Sequence, residues 1–362
     1  MDIPSDQALT ARRASMPSIS IVAPAYNEEE VLGEFHRRVT EVMVKLGADY
    51  EIVLVNDGSR DKTLLLMQHL RDLDPHVAIV DLSRNFGKEI ALSAGLDHCS
   101  GDVVVVLDAD LQDPPDLIPA MLDIWREGYD VVYGVRTQRD GESWLKKATA
   151  KVFYQLIRRL SRVAIPTDTG DFRLMSRRVV QEMKRLREVH RFMKGLFAWV
   201  GFPSHPLYYR RAPRAAGTTK WNYWNLWNFA LEGITSFTVA PLKVATYAGL
   251  GVAIMALAYA LFVVWKALVF GDEVKGYPSL MTVVLFLGGI QLVAVGVIGE
   301  YLGRIFDEVK ARPLYLVNRW HTSVLSSDSS KNPVKIGTTG RQWRRPSTPV
   351  ATTLAARRLV RH

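Results

Sequence analysis

The chain has 362 residues, 48% of them hydrophobic, with 46 Lys and Arg against 37 Asp and Glu. That length holds one large domain with an appendage, or two domains, around a substantial core. The single cysteine, Cys99, excludes an intramolecular disulfide and a cysteine metal cluster, and reads as a small buried hydrophobe.

The net charge of +9 is unevenly placed. After Glu300 there are twelve basic residues and three acidic ones, so the whole excess lies there. A basic tail can mark a nucleic-acid ligand. This one follows apolar spans, so anionic lipid headgroups are the expected partner and nucleic acid is not. Met1–Pro17 is polar and lacks the apolar core of a signal peptide. Residues 1–16 are expected to form a flexible segment.

In chain order, Ser18–Pro24 (SISIVAP) alternates and is β-rich, a first strand. AYNEEEVLGEFHRRVTEVMVKLG follows, with Val31, Leu32, Phe35, Val39, Val42, Met43 and Leu46 at helical spacing. Asn27 is placed as its N-cap, and Glu28–Glu30 suit the positive helix end. Tyr50–Asn56 (YEIVLVN) is a second strand, ending in DGSRD, and Thr63–Leu73 a second helix. Val77–Leu82 is a third strand, and SRNFGKEIALSAGLDHC a third helix. Strands alternating with helices predict βαβ units and a mainly parallel sheet. No GxGxxG follows the first strand, which removes the main support for hydride transfer, and no GxxxxGK(S/T) occurs, which excludes a P-loop NTPase.

DVVVVLDADLQDPPDL (Asp102–Leu117) is the stretch that the chain is organised around. Val103–Leu107 reads as a buried strand, and Pro114 and Pro115 stop any pairing beyond it. Asp108, Asp110 and Gln112 fall at alternate positions, so they converge on one side if the extended geometry continues. Ligands of open α/β sheets bind at the carboxyl ends of the strands. Two hard carboxylates there suit Mg²⁺ or Mn²⁺ bridging to substrate phosphates.

Asp130–Val135 is a further strand, ending at Arg136. Ser143–Ile165 is a basic amphipathic helix able to lie on a bilayer. TDTGDFRLMSRR (Thr167–Arg178) reads as a turn-rich segment, and two short elements follow, His190–Val200 and Pro206–Arg211. Trp221, Tyr223, Trp224 and Trp227 crowd the approach to an apolar span, as interface aromatics do. Val244–Trp265 and Gly276–Gly299 carry no charge, and each exceeds the roughly 20 residues that cross a bilayer. Lys220 and Lys243 before the first span, and Arg304, Lys310 and Arg312 after the second, place both ends in the cytoplasm.

The ordered set PAYNEEE, NDGS, LSRNFGKE, DADLQDPP, DTGDFRLMSR and RAAGTTKW, closed by two spans, resembles the inverting GT-A glycosyltransferases of family 2. Within them it is most similar to the polyprenyl-phosphate glycosyltransferases, the group with dolichol-phosphate mannose synthase and the bactoprenol glucosyltransferases. The resemblance covers about residues 17–318.

It implies a Rossmann-like GT-A domain at 17–212, a juxtamembrane aromatic segment at 213–240 and two transmembrane helices at 241–300. A juxtamembrane stretch at 301–318 and a basic, disordered tail at 319–362, dispensable for activity, complete the expected organisation. It also implies an integral membrane protein of the inner or plasma membrane, and allows a homo-oligomer. The implied substrates are a UDP- or GDP-sugar and a polyprenyl phosphate.

By the same resemblance Pro24, Tyr26, Asn27 and Glu28 hold base and ribose, Asp57 contacts the base, and Lys88 lies near the donor. Asp108, Ala109, Asp110 and Gln112 engage the sugar nucleotide, with Asp108, Asp110 and Gln112 on the Mg²⁺ or Mn²⁺ ion. Asp110, Asp171 and Arg136 are the expected catalytic residues. A lipid phosphate is already an anionic nucleophile and needs a cationic cradle more than a base. Candidates are Arg136, Lys147, Lys151, Arg173, Arg191, Arg214 and Lys220. The QxxRW motif of processive synthases is broken, with Leu316 where Gln would stand before Arg319–Trp320, which argues against polymerisation. Two rival readings are a transferase acting on a phosphate-free lipid, and an inactive nucleotide-sugar-binding scaffold.

Overall fold

The computed structural model describes residue 13 and residues 15–137, 169–210, 240–270 and 276–327. The expected amphipathic helix at 143–165, the aromatic run at 221–227, and Lys147, Lys151, Arg214 and Lys220 lie outside the described residues.

The described chain builds one sheet of eight strands with helices on both faces. Its strands are β1 (Ile19–Ala25), β2 (Tyr50–Asn56), β3 (Val77–Leu82), β4 (Val103–Val106), β5 (Val131–Arg136), β6 (Thr169–Ser176), β7 (Ser204–Tyr209) and β8 (Val317–His321). Their spatial order is β7-β5-β6-β4-β1-β2-β3-β8. β3, β2, β1 and β4 are mutually parallel, and β6 runs antiparallel to both β4 and β5. The start of β6 therefore lies at the carboxyl ends of the parallel strands.

Helices α1 (Leu32–Leu46), α2 (Thr63–Leu73) and α4 (Ile118–Arg126) cover one face, and α3 (Lys88–His98), α5 (Arg177–Arg185) and α6 (Met193–Trp199) the other. The four valines of β4 are fully buried and alternate between the two faces. Val103 and Val105 join Phe35, Met67 and Met121, while Val104 and Val106 join Leu92, Val179 and Leu196. Each such side chain contributes about 1.5–3 kcal/mol by leaving water. A strand buried on both faces is the expected partner of parallel neighbours.

Three sequence expectations need correction here. The 319–362 tail begins later than expected, because Arg319, Trp320 and His321 pair antiparallel with β3 as part of β8, and α9 (Val324–Ser327) follows. VNRWH has little apolar content, and an edge strand of that kind is fixed by its partner rather than by its own pattern. Deleting everything beyond Asn318 removes three of the five β8 residues and so cuts into the sheet rather than into a loose tail. The N-terminal segment is also anchored in part. Arg13 pairs with the fully buried Asp130 at 2.9 Å, donates to Trp125 O and lies over the Trp125 ring. Finally, Asn27 does not cap α1, whose N-cap position is Val31.

Two long helices, α7 (Ala240–Phe270) and α8 (Tyr277–Val309), precede β8. Among the described residues, Phe286–Val309 is long and apolar enough to cross a membrane, and Val244–Tyr259 is a shorter apolar run. Many of their described apolar side chains face outward, with Leu257 at 64% and Leu292 at 75% exposure. Apolar surface on that scale suits lipid contact rather than water.

Candidate functional site

The strand ends at one edge of the sheet carry two linked clusters. The first joins the loops after β1, β2 and β3. Asn27 adopts a left-handed backbone (φ 54°) that asparagine tolerates. It is held from both sides: its N–H donates to Ser59 Oγ at 3.1 Å, and its Oδ1 accepts the Arg60 N–H at 2.8 Å. The Glu28 N–H donates to Thr63 Oγ1 at 2.9 Å, which ties the same loop to the first turn of α2. Gly58 (φ 65°) passes so close to the next loop that a Cβ would sit 2.5 Å from Arg84 C and Asn85 N.

Asp57 is 3% exposed, and its two oxygens accept the N–H groups of Phe86 (2.7 Å) and Gly87 (3.0 Å). Burial raises its pKa against those two hydrogen bonds. The Asp57 carboxylate is thus occupied in shaping the 83–87 loop that leads into α3. Pro24, Tyr26, Asn27 and Glu28 are half-buried around this loop cluster.

The second cluster is charged and lies at the ends of β4, β5 and β7 and the start of β6. Lys88, the first residue of α3, reaches Asp108 at 2.7 Å and Asp171 at 2.6 Å. About half of its side-chain surface stays exposed (49%), so it sits at the rim with its ammonium between two carboxylates. Burial penalises the Lys88 charge, but the two carboxylates outweigh it and raise its pKa. The carboxylates themselves diverge. Burial, opposed by Lys88 and aided by repulsion from Asp171 and Asp113, raises Asp108. Asp171 resists burial because Lys88 and Lys194 hold it well below the usual carboxylate range.

Arg136, at the end of β5, lies 4.0 Å from Asp113 Oδ1, and the Tyr209 hydroxyl donates to the same oxygen. Burial lowers the Arg136 pKa, but hydrogen bonding to Tyr209 and the charges of Asp113 and Asp108 raise it overall. Room for its guanidinium comes from Gly170, where a Cβ would lie 2.5 Å from Nη2.

β4 ends at Val106, so the extended geometry that would alternate Asp108, Asp110 and Gln112 does not continue. A turn replaces it. Leu111 takes φ 60°, with its side chain 6% exposed, and Asp110 Oδ1 accepts the Gln112 N–H at 3.2 Å. Burial of the leucine offsets a conformation that ordinarily costs about 1–2 kcal/mol. Ala109 is 3% exposed, and Asp110 and Gln112 are half-buried.

Among the described residues no group of three His, Cys, Asp or Glu side chains has metal-ligand spacing. Oxygen donors are nevertheless present: among the described residues Asp113 Oδ2 and Asp171 Oδ1 are buried and accept no hydrogen bond, while Asp108 Oδ1 faces the Lys88 ammonium at 2.7 Å. Such acceptor-only oxygens beside the Asp110 turn are the donor chemistry that a hard divalent cation takes.

Two of the expected phosphate-binding cations are placed elsewhere. Arg173 is 4% exposed, donates to Gly170 O (2.9 Å) and Asp171 O (3.2 Å), and lies over Phe197 at 3.5 Å. Burial pulls its pKa down to about 10. It braces the start of β6 from inside. Arg191 is 5% exposed and donates to Leu186 O, with Glu188 and Asp97 as its main ionic neighbours.

The structure adds residues that the sequence reading passed over. Lys194 on α6 faces the charges of Asp171, Arg136 and Glu89, and burial lowers its pKa. Asp113 stood inside DADLQDPP, and Glu89 beside Lys88, so both were within reach of the motif reading. Lys194 and Tyr209 carried no local signal. Glu89 accepts the Met193 N–H at 3.0 Å and thereby joins α3 to α6.

Burial, with repulsion from Asp171, pushes Glu89 up to about 7. Its folded value lies above that of an unfolded glutamate. The stability it contributes is therefore complete below about pH 4 and is lost as pH rises through about 7. Glu89→Gln keeps an acceptor for Met193 and removes that slope. The expected result is a melting temperature that gains on the wild type between about pH 5 and pH 8. A difference that stays constant with pH contradicts the assignment.

Residues 20–184 match the model of glycosyl transferase family 2, and residues 240–305 match the GtrB C-terminal hairpin. An uncharacterized glycosyltransferase of Synechocystis is 56% identical over 83% of this chain and 94% of its own length. The bactoprenol glucosyl transferase of Shigella phage SfII is 48% identical over 84% of this chain and 98% of its own. A prophage bactoprenol glucosyl transferase homolog of Escherichia coli is 46% identical over 83% and 98%.

Proposed function

This chain belongs to glycosyl transferase family 2 and is a glycosyltransferase, and on that premise we propose that it transfers one sugar from a UDP- or GDP-sugar to a polyprenyl phosphate, inverting the anomeric carbon. The observation that carries this reading is the mixed-charge cluster of Lys88, Asp108, Asp171 and Arg136 at the strand ends. The polyprenyl acceptor is supported by relatives named bactoprenol glucosyl transferase that align over nearly their whole length.

The loops around Asn27, Asp57 and Gly58 are the proposed nucleotide pocket, next to the charged cluster where the diphosphate and sugar would lie. Asp108 and Asp110, with Gln112, would hold Mg²⁺ or Mn²⁺. Such an ion, when bound, neutralises the charge that a nucleoside diphosphate gains as it leaves. Arg136, joined by Lys194, is the proposed seat of the acceptor phosphate, whose oxygen attacks C1 from the face opposite the leaving group.

Asp171 is too strongly held in its ionised form to serve as an effective base. It orients Lys88 and the acceptor instead. An acceptor that is already an anion at neutral pH needs no more, and this favours a lipid phosphate over a lipid hydroxyl.

We place the protein as an integral membrane protein of the inner or plasma membrane, with α7 and α8 as two spans. Lys243 in the first turn of α7, Arg304 near the end of α8, and Lys310 and Arg312 beyond it favour both ends in the cytoplasm. The active edge then works at the cytoplasmic leaflet.

The test is a panel of radiolabelled UDP- and GDP-hexoses offered to the full chain in vesicles with and without undecaprenyl phosphate. Label entering the organic-extractable fraction only when the lipid phosphate is present supports the reading. Label entering diacylglycerol instead, or no lipid at all, contradicts it. Within that assay, Arg136→Ala is expected to raise the KM for the lipid phosphate about tenfold or more and to change the donor KM little. An equal rise in both would remove Arg136 from the acceptor site.

A further inference from the structure

The strand that returns from the long helices ends in a hydrogen-bonded chain that runs to the nucleotide loops. β8 pairs with β3 through Leu82↔Val317, Asp81↔Arg319, Val80↔Trp320 and Ile79↔His321. Asn318 has no partner in that register: it is the extra residue of a bulge. Bulges re-aim a side chain at the cost of one ladder pairing. Here the side chain is turned onto Asp81, whose Oδ2 accepts from Asn318 Nδ2 at 2.8 Å.

Asp81 is 3% exposed, and its other oxygen accepts from Asn56 Nδ2 at 2.7 Å. Asn56, 2% exposed at the end of β2, accepts the Ser59 N–H on its Oδ1 at 3.1 Å. Ser59 Oγ in turn accepts the N–H of Asn27 at 3.1 Å. The orientation of the Asn56 amide is fixed by chemistry, because a carboxylate accepts and a backbone N–H donates. Every link therefore has one sense, and the chain ends on Asn27, whose left-handed backbone needs holding in place. A buried polar network with each member satisfied rigidifies what it joins.

We propose that Asn318 is a positioning residue for nucleotide binding, acting through Asp81 and Asn56 on the Asn27–Ser59 loop pair. This rests on the nucleotide-sugar reading above. Asn318 is exposed and its side chain bonds Asp81 rather than any member of the charged cluster, so its removal leaves the core and the Lys88 ion pairs intact. Its loss would leave one Asp81 oxygen without its donor, free to draw the Asn56 amide away from Ser59. Asn318→Asp would go further, because it replaces the donor with a second carboxylate facing Asp81.

The experiment is calorimetric titration of the detergent-purified full chain with UDP and with GDP, each with Mn²⁺, for wild type, Asn318→Ala and Asn318→Asp. Donor and acceptor KM are measured alongside. The expected result is nucleotide binding weakened about fivefold in Asn318→Ala and more in Asn318→Asp. The donor KM rises in parallel, while kcat and the acceptor KM hold; the melting temperature falls by a few degrees in Asn318→Ala, which unpairs an Asp81 oxygen, and further in Asn318→Asp. Wild-type affinity in both variants overturns the proposal, as does an equal rise in both KM values. A wild type that binds neither nucleotide contradicts the underlying reading, and the positioning role falls with it.

Discussion

Asp110→Asn is expected to lower kcat for sugar transfer by about a hundredfold to a thousandfold, the usual loss when one charge-stabilising group is removed from a reaction centre. The substitution is a clean probe. Asp110 Oδ1 accepts the Gln112 N–H, and an asparagine oxygen accepts it equally well, so the turn keeps its shape. Only the negative charge is lost. Turnover with saturating Mg²⁺ or Mn²⁺ should collapse while the melting temperature stays within a few degrees. A variant that turns over near the wild-type rate removes Asp110 from the proposed metal site.

Lys88→Met is the second large effect, and it acts on both activity and stability. The lysine bridges Asp108 and Asp171 at 2.7 and 2.6 Å, and methionine leaves those carboxylates facing each other without the cation between them, with Lys194 the next charge acting on Asp171. Unpairing a fully buried ion pair costs about 3–5 kcal/mol. The half-exposed Lys88 side chain lets solvent screen the pair, so a fraction of that cost is expected. Without Lys88 both carboxylates titrate at higher pH, so the stability deficit shrinks as pH falls and the acids take up protons. Activity should drop about a hundredfold or more at every pH, because the cation that sets both carboxylates is gone. Thermal melts and kcat across the pH range check both parts. A stability deficit that grows toward acid pH would show that Lys88 is not what holds these groups ionised.

Much of the parallel half of the sheet is readable from residue pattern alone. Tyr50–Asn56, Thr63–Leu73 and Val77–Leu82 appear with their expected bounds, because each is a run whose apolar residues match one period and whose ends carry turn chemistry. β6 was missed. TGDFRLMS reads as a turn, since Asp171 and Arg173 break its apolar character. What makes it a central strand is pairing with β4 on one side and β5 on the other. Its polar residues are those that serve the site, and this is where local pattern and global fold are expected to disagree. β8 was missed for a related reason: its register is set by β3, more than two hundred residues earlier in the chain.

The site follows the same division. Motif residues that sit within one loop, such as Asp108 with Asp110 or Asn27 with Glu28, were legible. Pairings across the chain were not. Lys88 between Asp108 and Asp171, Tyr209 on Asp113, and Lys194 near Arg136 arise because β6 is laid between β4 and β5, and β7 beside β5. The expected alternation of Asp108, Asp110 and Gln112 along an extended strand gives way to a turn for a local reason. Leu111 takes a left-handed conformation that no alternation rule anticipates.

The central claim is that these strand ends bind a sugar diphosphonucleoside through a divalent cation. Calorimetry on the full chain in detergent, titrating UDP- and GDP-hexoses with and without manganese, addresses it directly. Saturable heat from at least one sugar nucleotide, present with the metal and largely lost without it or in Asp110→Asn, is the predicted outcome. Silence from every donor, or binding indifferent to manganese, would contradict it.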